Sequence, residues 1–140
     1  MDHIVYLDYK AKELENLRSG RKTMLIRGAM GRKLPHGRIG ENDTLYFAEN
    51  NGDGLVKAKA TAHKIFCSGK LSREESIALV DSFRDKLMLN TDLRKRFRGK
   101  RYLVLITLSN FTDIKPARFN RDAFGNMDDW LPVGRIEDLL

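Results

Sequence analysis

Apolar and polar residues alternate with period two most clearly between Leu55 and Phe66. Val56, Ala58, Ala60 and Ala62 fall on one face, and Lys57, Lys59, Thr61 and His63 on the other. That alternation predicts a half-buried strand, and the small alanines imply a close neighbour on its inner face. Thr44 to Ala48 reads as its partner, because Asn50-Asn51-Gly52-Asp53-Gly54 between them is a hairpin signal. Ile4 to Leu7 and Thr23 to Arg27 read as short strands. Tyr102 to Phe111 has a nearly continuous apolar first half, which predicts a central strand buried on both faces.

Helical spacing appears in two places. Ala11, Leu14 and Leu17 share one side of a helix, with Asp8 as a candidate N-cap and Gly20 placed to end it. Ser72-Arg73-Glu74-Glu75 is a capping box, and Val80, Phe83 and Leu87 supply an apolar stripe behind it. A further helical turn is expected near Asp92 to Phe97. Gly28 to Gly40, rich in glycine and base, reads as a mobile loop. After Pro116 the chain is expected to be irregular up to an edge strand at Trp130 to Val133. No βαβα alternation is present, so the order predicts a small α+β or barrel-like fold rather than a doubly wound sheet. With no repeat or linker, residues 1–140 read as one domain.

Composition narrows this picture. Of 140 residues, 41% are apolar and 32% charged, and the mean hydropathy is −0.46, values of a folded soluble chain. The apolar run Leu103 to Ile106 is far short of the ~20 residues of a membrane helix, so no membrane partner is expected. Met1-Asp2-His3 leads into no apolar segment, which argues against a secretory signal. Cys67 is the only cysteine, and a reducing, cytoplasmic setting is the natural expectation.

The formal net charge is +7. No acid lies between Glu15 and Glu41, a stretch holding Arg18, Arg21, Lys22, Arg27, Arg32, Lys33 and Arg38. None lies between Asp92 and Asp113, which holds Arg94, Lys95, Arg96, Arg98, Lys100 and Arg101. If the two windows converge, they form a basic cleft suited to phosphates, and RNA or a nucleotide becomes the expected partner. A solvated basic surface is the plainer alternative.

Gly20-Arg21-Lys22-Thr23-Met24-Leu25-Ile26-Arg27 has the spacing G-x-K-x-x-x-x-R between a helix end and a strand. In an extended segment Met24 and Ile26 share one face, read as the core side. Thr23, Leu25 and Arg27 share the other, read as the more open side. Lys22 and Arg27 beside one cleft could hold an anion, and a structural ion pair is the alternative for Arg27. This segment resembles the signature of the ASCH domain, a branch of the PUA-like superfamily. Ile39-Gly40-Glu41-Asn42-Asp43 before a strand is similar to that family's turn, with Asn42 where Gly is usual. The resemblance covers a motif core of residues 4–112, and residues 113–140 form a C-terminal extension similar to longer members.

The resemblance implies a fold and a function. The fold would be a PUA-like β pseudobarrel of five to six mostly antiparallel strands with flanking helices. The function would be binding of RNA or a modified nucleoside near the motif. Arg21, Lys22, Arg27, Arg32, Lys33 and Arg38 are the candidate ligand-binding residues, with the Gly28–Gly40 loop as a flap. Some ASCH proteins are hydrolases that cleave the acetyl amide of acetylated cytidine, using the motif Lys, a Thr two positions before the motif Arg, and a Glu. Lys22 matches the Lys. The Thr position is Leu25, which has no nucleophile, and Thr23 lies two residues earlier. Two residues along a strand displace a hydroxyl by roughly 6–7 Å, outside hydrogen-bond reach of the original position. No Glu can be matched from the sequence, since the capping box accounts for Glu75. Other ASCH members are ribonucleases, and His36 with Lys22 and Arg27 could form an acid–base set around a phosphate.

Trp130 has two readings, a cap that stacks on a base and a core anchor for the tail. His63 and Cys67 would need His3 or His36 to form a zinc site, and no metal or cofactor is expected. Three function classes follow: an RNA- or nucleoside-binding module, a hydrolase (ribonuclease or acyl-nucleoside amidohydrolase), and a protein-interaction module whose basic patch meets an acidic partner.

Overall fold

A computed structural model describes residues 1–121 and 128–140 of the chain. The elements run β1 (Asp2–Leu7), α1 (Glu13–Arg18), β2 (Met24–Ala29), β3 (Thr44–Glu49), β4 (Leu55–Cys67), α2 (Arg73–Ser82), α3 (Arg84–Leu87), α4 (Thr91–Phe97), β5 (Tyr102–Arg118) and β6 (Trp130–Gly134). A 3-10 turn at Ile136–Asp138 follows. The strands form one curled sheet in the order β2-β5-β4-β3-β1-β6. Every pairing is antiparallel except β1 with β3. This is the expected α+β half-barrel with flanking helices. No helix among the described residues is long and apolar enough to cross a membrane.

The curl has a local cause. The β4–β5 ladder slips register near Val56, Lys59 and Ala62. Each slip adds twist and bends two strands that would otherwise run straight. Ala58, Ala60 and Ala62 all face the barrel interior, and their small side chains let the concave face close around Phe47, Leu45, Leu25, Ile106 and Trp130. On the convex side, Met24, Ile26, Leu103 and Leu105 meet Val80, Leu87, Leu93 and Phe97 from the helices. A third cluster joins Ile4, Ala48 and Val56 to Phe119, Leu131 and Ile136.

Three expectations change. Asp8 is not the N-cap of α1, which starts at Glu13 behind Lys12 in a left-handed conformation. Asp8 instead accepts from the Ala11 amide at 2.8 Å and closes the turn ahead of the helix. The face of β2 read as open is also buried, with Leu25 fully covered inside the barrel. The strand is sandwiched between barrel interior and helices, so both faces are core. β5 continues through Pro116 to Arg118 instead of ending near Phe111. Pro116 lies where the ladder skips between the Ala58–Asp113 and Val56–Ala117 pairs, so its missing N–H breaks no regular bond. Gly20 ends α1 with φ +78°, and the Ser72–Glu75 capping box is present. β6 is an edge strand on β1.

The tail is fastened through His3, which is fully buried. Trp130 Nε1 donates to His3 Nδ1 at 3.0 Å, and His3 Nε2 meets Asp43 Oδ2 at 2.8 Å. Indole nitrogen is donor only, so Nδ1 accepts, and the proton sits on Nε2 facing Asp43. Burial lowers the His3 pKa against the opposing pull of the Asp43 carboxylate. The folded state therefore holds His3 neutral while the unfolded chain protonates it near pH 6.5. Because the unfolded state binds the extra proton, stability rises with pH through this window. We expect Tm to drop as pH falls below about 6.5. A His3→Phe variant is expected to lose that component of the slope, and an identical slope in the variant would refute the assignment.

Candidate functional site

The turn after α1 carries Lys22 inward. Its amide donates to the Asn16 carbonyl at 3.0 Å, and its side chain is fully buried. Nζ donates to the Leu87 carbonyl and lies 3.4 Å from Glu13 Oε2. Glu13 is itself held, since its Oε1 accepts from the Asp8 amide at 2.8 Å. Burial pushes the Lys22 pKa down. The Glu13 carboxylate opposes that, and the Arg27 charge adds to the downward push. Lys22 is thus locked in the interior between Glu13 and the Leu87 carbonyl.

Arg27 is buried as well. Its Nη1 donates to Ile26 O at 2.8 Å and its Nη2 to Tyr6 O at 2.7 Å. Its Cζ lies 5.7 Å from the centre of the Trp130 ring. Nε is 3.4 Å from Asp129 Oδ2 but makes no hydrogen bond, so the pair is coulombic rather than directional. Arg27 thus braces β1 against β2, and one side of it borders open space.

That space is a cleft of about 200 Å³ lined by Tyr6, Asp8, Glu13, Arg27, Asn50, Leu93, Arg96, Phe97 and Asp129. Its lining is of mixed sign, unlike the uniformly basic recess that the charge windows suggest. Asp8, Glu13 and Asp129 come from the ends of β1, α1 and the tail, all outside the acid-free windows. They face Arg27 and Arg96, and Lys22 stands behind Glu13. Such a lining offers both donors and acceptors to a flat polar ligand. Carboxylates accept from exocyclic amines, and guanidinium forks donate to carbonyls or phosphates.

The remaining candidates spread out. Thr23 is exposed and opens, with Lys22 and Gly20, on a separate recess of about 180 Å³ beside Asn110 and Phe111. Arg21 is exposed, with Nε on Ser19 Oγ at 3.1 Å. His36 places Nε2 2.8 Å from the Ser68 carbonyl and stands edge-on to Tyr102, away from the cleft lining. Arg32 lies over the same Tyr102 ring at 5.5 Å, and Arg38 is exposed. Lys33 reaches Asp128 at 3.3 Å, beside the cleft residue Asp129, so the loop touches the cleft rim there. Arg94 and Arg98 are taken up by Asp81 on α2, which leaves Arg96 to face the cleft. Trp130 is fully buried, the anchor reading, with no ring face left for a base.

The sequence reading missed Glu13 as the carboxylate beside Lys22. A signal was available: Glu13 is four residues before the buried Leu17, on the same side of α1, where a solvated acid is out of place. Asp8 and Asn50 had no comparable mark.

No family model and no curated relative matches the chain by sequence. Solved structures do. The ASCH protein of Zymomonas mobilis superposes with a TM-score of 0.70 at 15% identity, covering 98% of this chain and 90% of that one. One point variant of that protein gives 0.70 at 14%, covering 98% and 93%. Another gives 0.62 at 14%, covering 84% and 73%. Identities this low speak to the backbone alone: this chain shares the fold of the ASCH structures, a PUA-like pseudobarrel.

Proposed function

We propose that the chain binds RNA or a modified nucleoside, with one base in the cleft between β1, β2, α1 and α4. The observation that carries this reading is the buried Lys22–Glu13 pair beside Arg27 at a cleft lined with both donors and acceptors. The size of the cleft suits a single base rather than a drug-sized ligand, whose pockets start at about 300 Å³. Phosphates flanking that base would meet Arg96 at the cleft and Lys33 at its rim, and those farther along the strand would meet Arg21, Arg32 and Arg38, which lie outside the cleft.

Affinity for a single-stranded oligoribonucleotide is expected to fall with salt, with a log–log slope of about −0.7 per phosphate neutralised. Arg96 is exposed, so Arg96→Glu is expected to weaken binding without unfolding the chain. Arg32→Ala combined with Arg38→Ala is expected to flatten the slope. A salt-independent affinity, or one that Arg96→Glu leaves unchanged, would defeat the reading.

The second reading is a hydrolase, and one feature favours it: burial of the Lys22 side chain lowers its pKa against the opposing pull of the Glu13 carboxylate, the direction a lysine needs to act as a base. The amidohydrolase form lacks its hydroxyl, because Leu25 is sealed in the barrel and Thr23 opens elsewhere. The ribonuclease form could use the ribose hydroxyl of RNA itself as nucleophile. Incubation with acetylated cytidine and with end-labelled RNA separates these: turnover of either by the native chain and its loss in the double variant Glu13→Leu, Lys22→Met, which removes the amine without stranding a charge, would favour catalysis.

A further inference from the structure

The convex side of the sheet carries a further hollow, lined by none of the cleft residues. It lies between β2, β4 and β5 and the α2–α3 helix pair, and measures about 520 Å³. Met24 and Leu105, both in the buried helical-side cluster, contribute to its lining, with Leu79 and Phe83 from the helices. Phe66, at its edge on β4, is 50% exposed. An apolar hollow of this size, bordered by a half-exposed aromatic ring, is in the range of small-molecule pockets.

The polar residues around it are His63, Lys64, Lys86 and Thr107, and among the described residues no carboxylate lines it. Among the described residues neither Lys64 nor Lys86 forms an ion pair. Lys86 Nζ instead leans 6.0 Å from the Phe83 ring centre. The two ammonium groups come from opposite walls, Lys64 from β4 and Lys86 from α3. We propose that this hollow binds a small amphiphilic anion, its apolar body against Phe66, Phe83, Leu79 and Met24 and its single acidic head group on Lys64 and Lys86. The charge is complementary, and among the described residues no lining acid competes for the lysines. Binding here is independent of the function proposed for the cleft.

The test uses two fluorescent probes on the full chain: anilinonaphthalene sulfonate, and phenyl-naphthylamine, which has the same apolar body without the charge. The sulfonate is expected to bind one saturable site about tenfold more tightly than the neutral probe, the value of roughly one charge-assisted contact. Lys64→Glu with Lys86→Glu is expected to erase that difference and leave the neutral probe bound. Both lysines are exposed, so the double variant is expected to keep the native Tm. Leu79→Trp, which fills the hollow, is expected to displace both probes. Equal affinities for the two probes, or a sulfonate affinity indifferent to the charge reversal, would overturn the proposal. Displacement of the sulfonate by a single-stranded oligoribonucleotide, or dimerisation that Phe66→Glu abolishes, would overturn it too, by giving the hollow to another occupant.

Discussion

Glu13→Ala is expected to destabilise the folded chain by about 3–5 kcal/mol, read as a shift in the midpoint of urea unfolding. The variant strands the Lys22 ammonium in the interior, where among the described residues only the Leu87 carbonyl remains as partner. A buried charge without its counter-charge keeps its desolvation cost and loses the attraction that offset it. The variant also frees the Asp8 amide, which Glu13 now holds at the start of the turn into α1. Lys22→Met is expected to cost a similar amount by stranding the carboxylate instead. The double variant Glu13→Leu, Lys22→Met is expected to be far less unstable than the sum, because two apolar side chains of similar volume restore packing without a lone charge. Additive losses would mean that the two groups do not depend on each other. The same double variant is expected to abolish ligand binding in the cleft despite its recovered stability. That combination would mark the pair as retained for function.

Trp130→Ala is expected to cost about 3–5 kcal/mol, the range for emptying a large aromatic site in a core. The ring is fully buried in the barrel, beneath the Arg27 guanidinium and edge-on to His3. Its removal also leaves the inward nitrogen of His3 without a donor. Trp130→Phe separates the two contributions, since it keeps most of the volume and loses the N–H. Its cost is expected to be about 1–3 kcal/mol, that of an unsatisfied buried acceptor. Hydrogen exchange would show the consequence in the β1 and β6 amides, because Trp130 pairs with Val5 across the ladder that holds the tail. A destabilisation below 1 kcal/mol in Trp130→Ala would mean that the tail is not anchored there. As the only tryptophan, it also reports directly: buried, its emission is expected to stay unchanged when an oligoribonucleotide is added. A large quench would return it to the role of stacking surface.

These two variants touch the same small region from opposite sides. Arg27 stands between them, bonded to the β1 and β2 backbone, over Trp130, and at the wall of the cleft. The tail strand therefore braces the site as well as closing the sheet, and damage to either should be felt at the other.

The amino-acid order alone determined those features whose causes lie within a few residues. The alternation of Val56, Ala58, Ala60 and Ala62 identifies β4 and its inner face, because the pleat points successive side chains to opposite sides. Ser72 and Glu75 identify the start of α2 through their reciprocal bonds, and Gly20 marks the end of α1 because it alone enters the left-handed turn without strain. The G-x-K-x-x-x-x-R spacing, together with its place between a helix end and a strand and the turn at Gly40, pointed to the fold. Only the tertiary structure decided what surrounds those residues. It lays β1 parallel to β3, sandwiches β2 so that Leu25 is sealed in the barrel and Arg27 keeps only its cleft side, and carries β5 through Pro116 at a slip in its ladder. It also sets Glu13 against Lys22 across the turn and Asp129 against Arg27 from the far end of the chain, which gives the cleft its mixed charge. Burial and charge pairing are sums over every neighbour in space, and most of those neighbours are distant in sequence, so no local pattern could carry them.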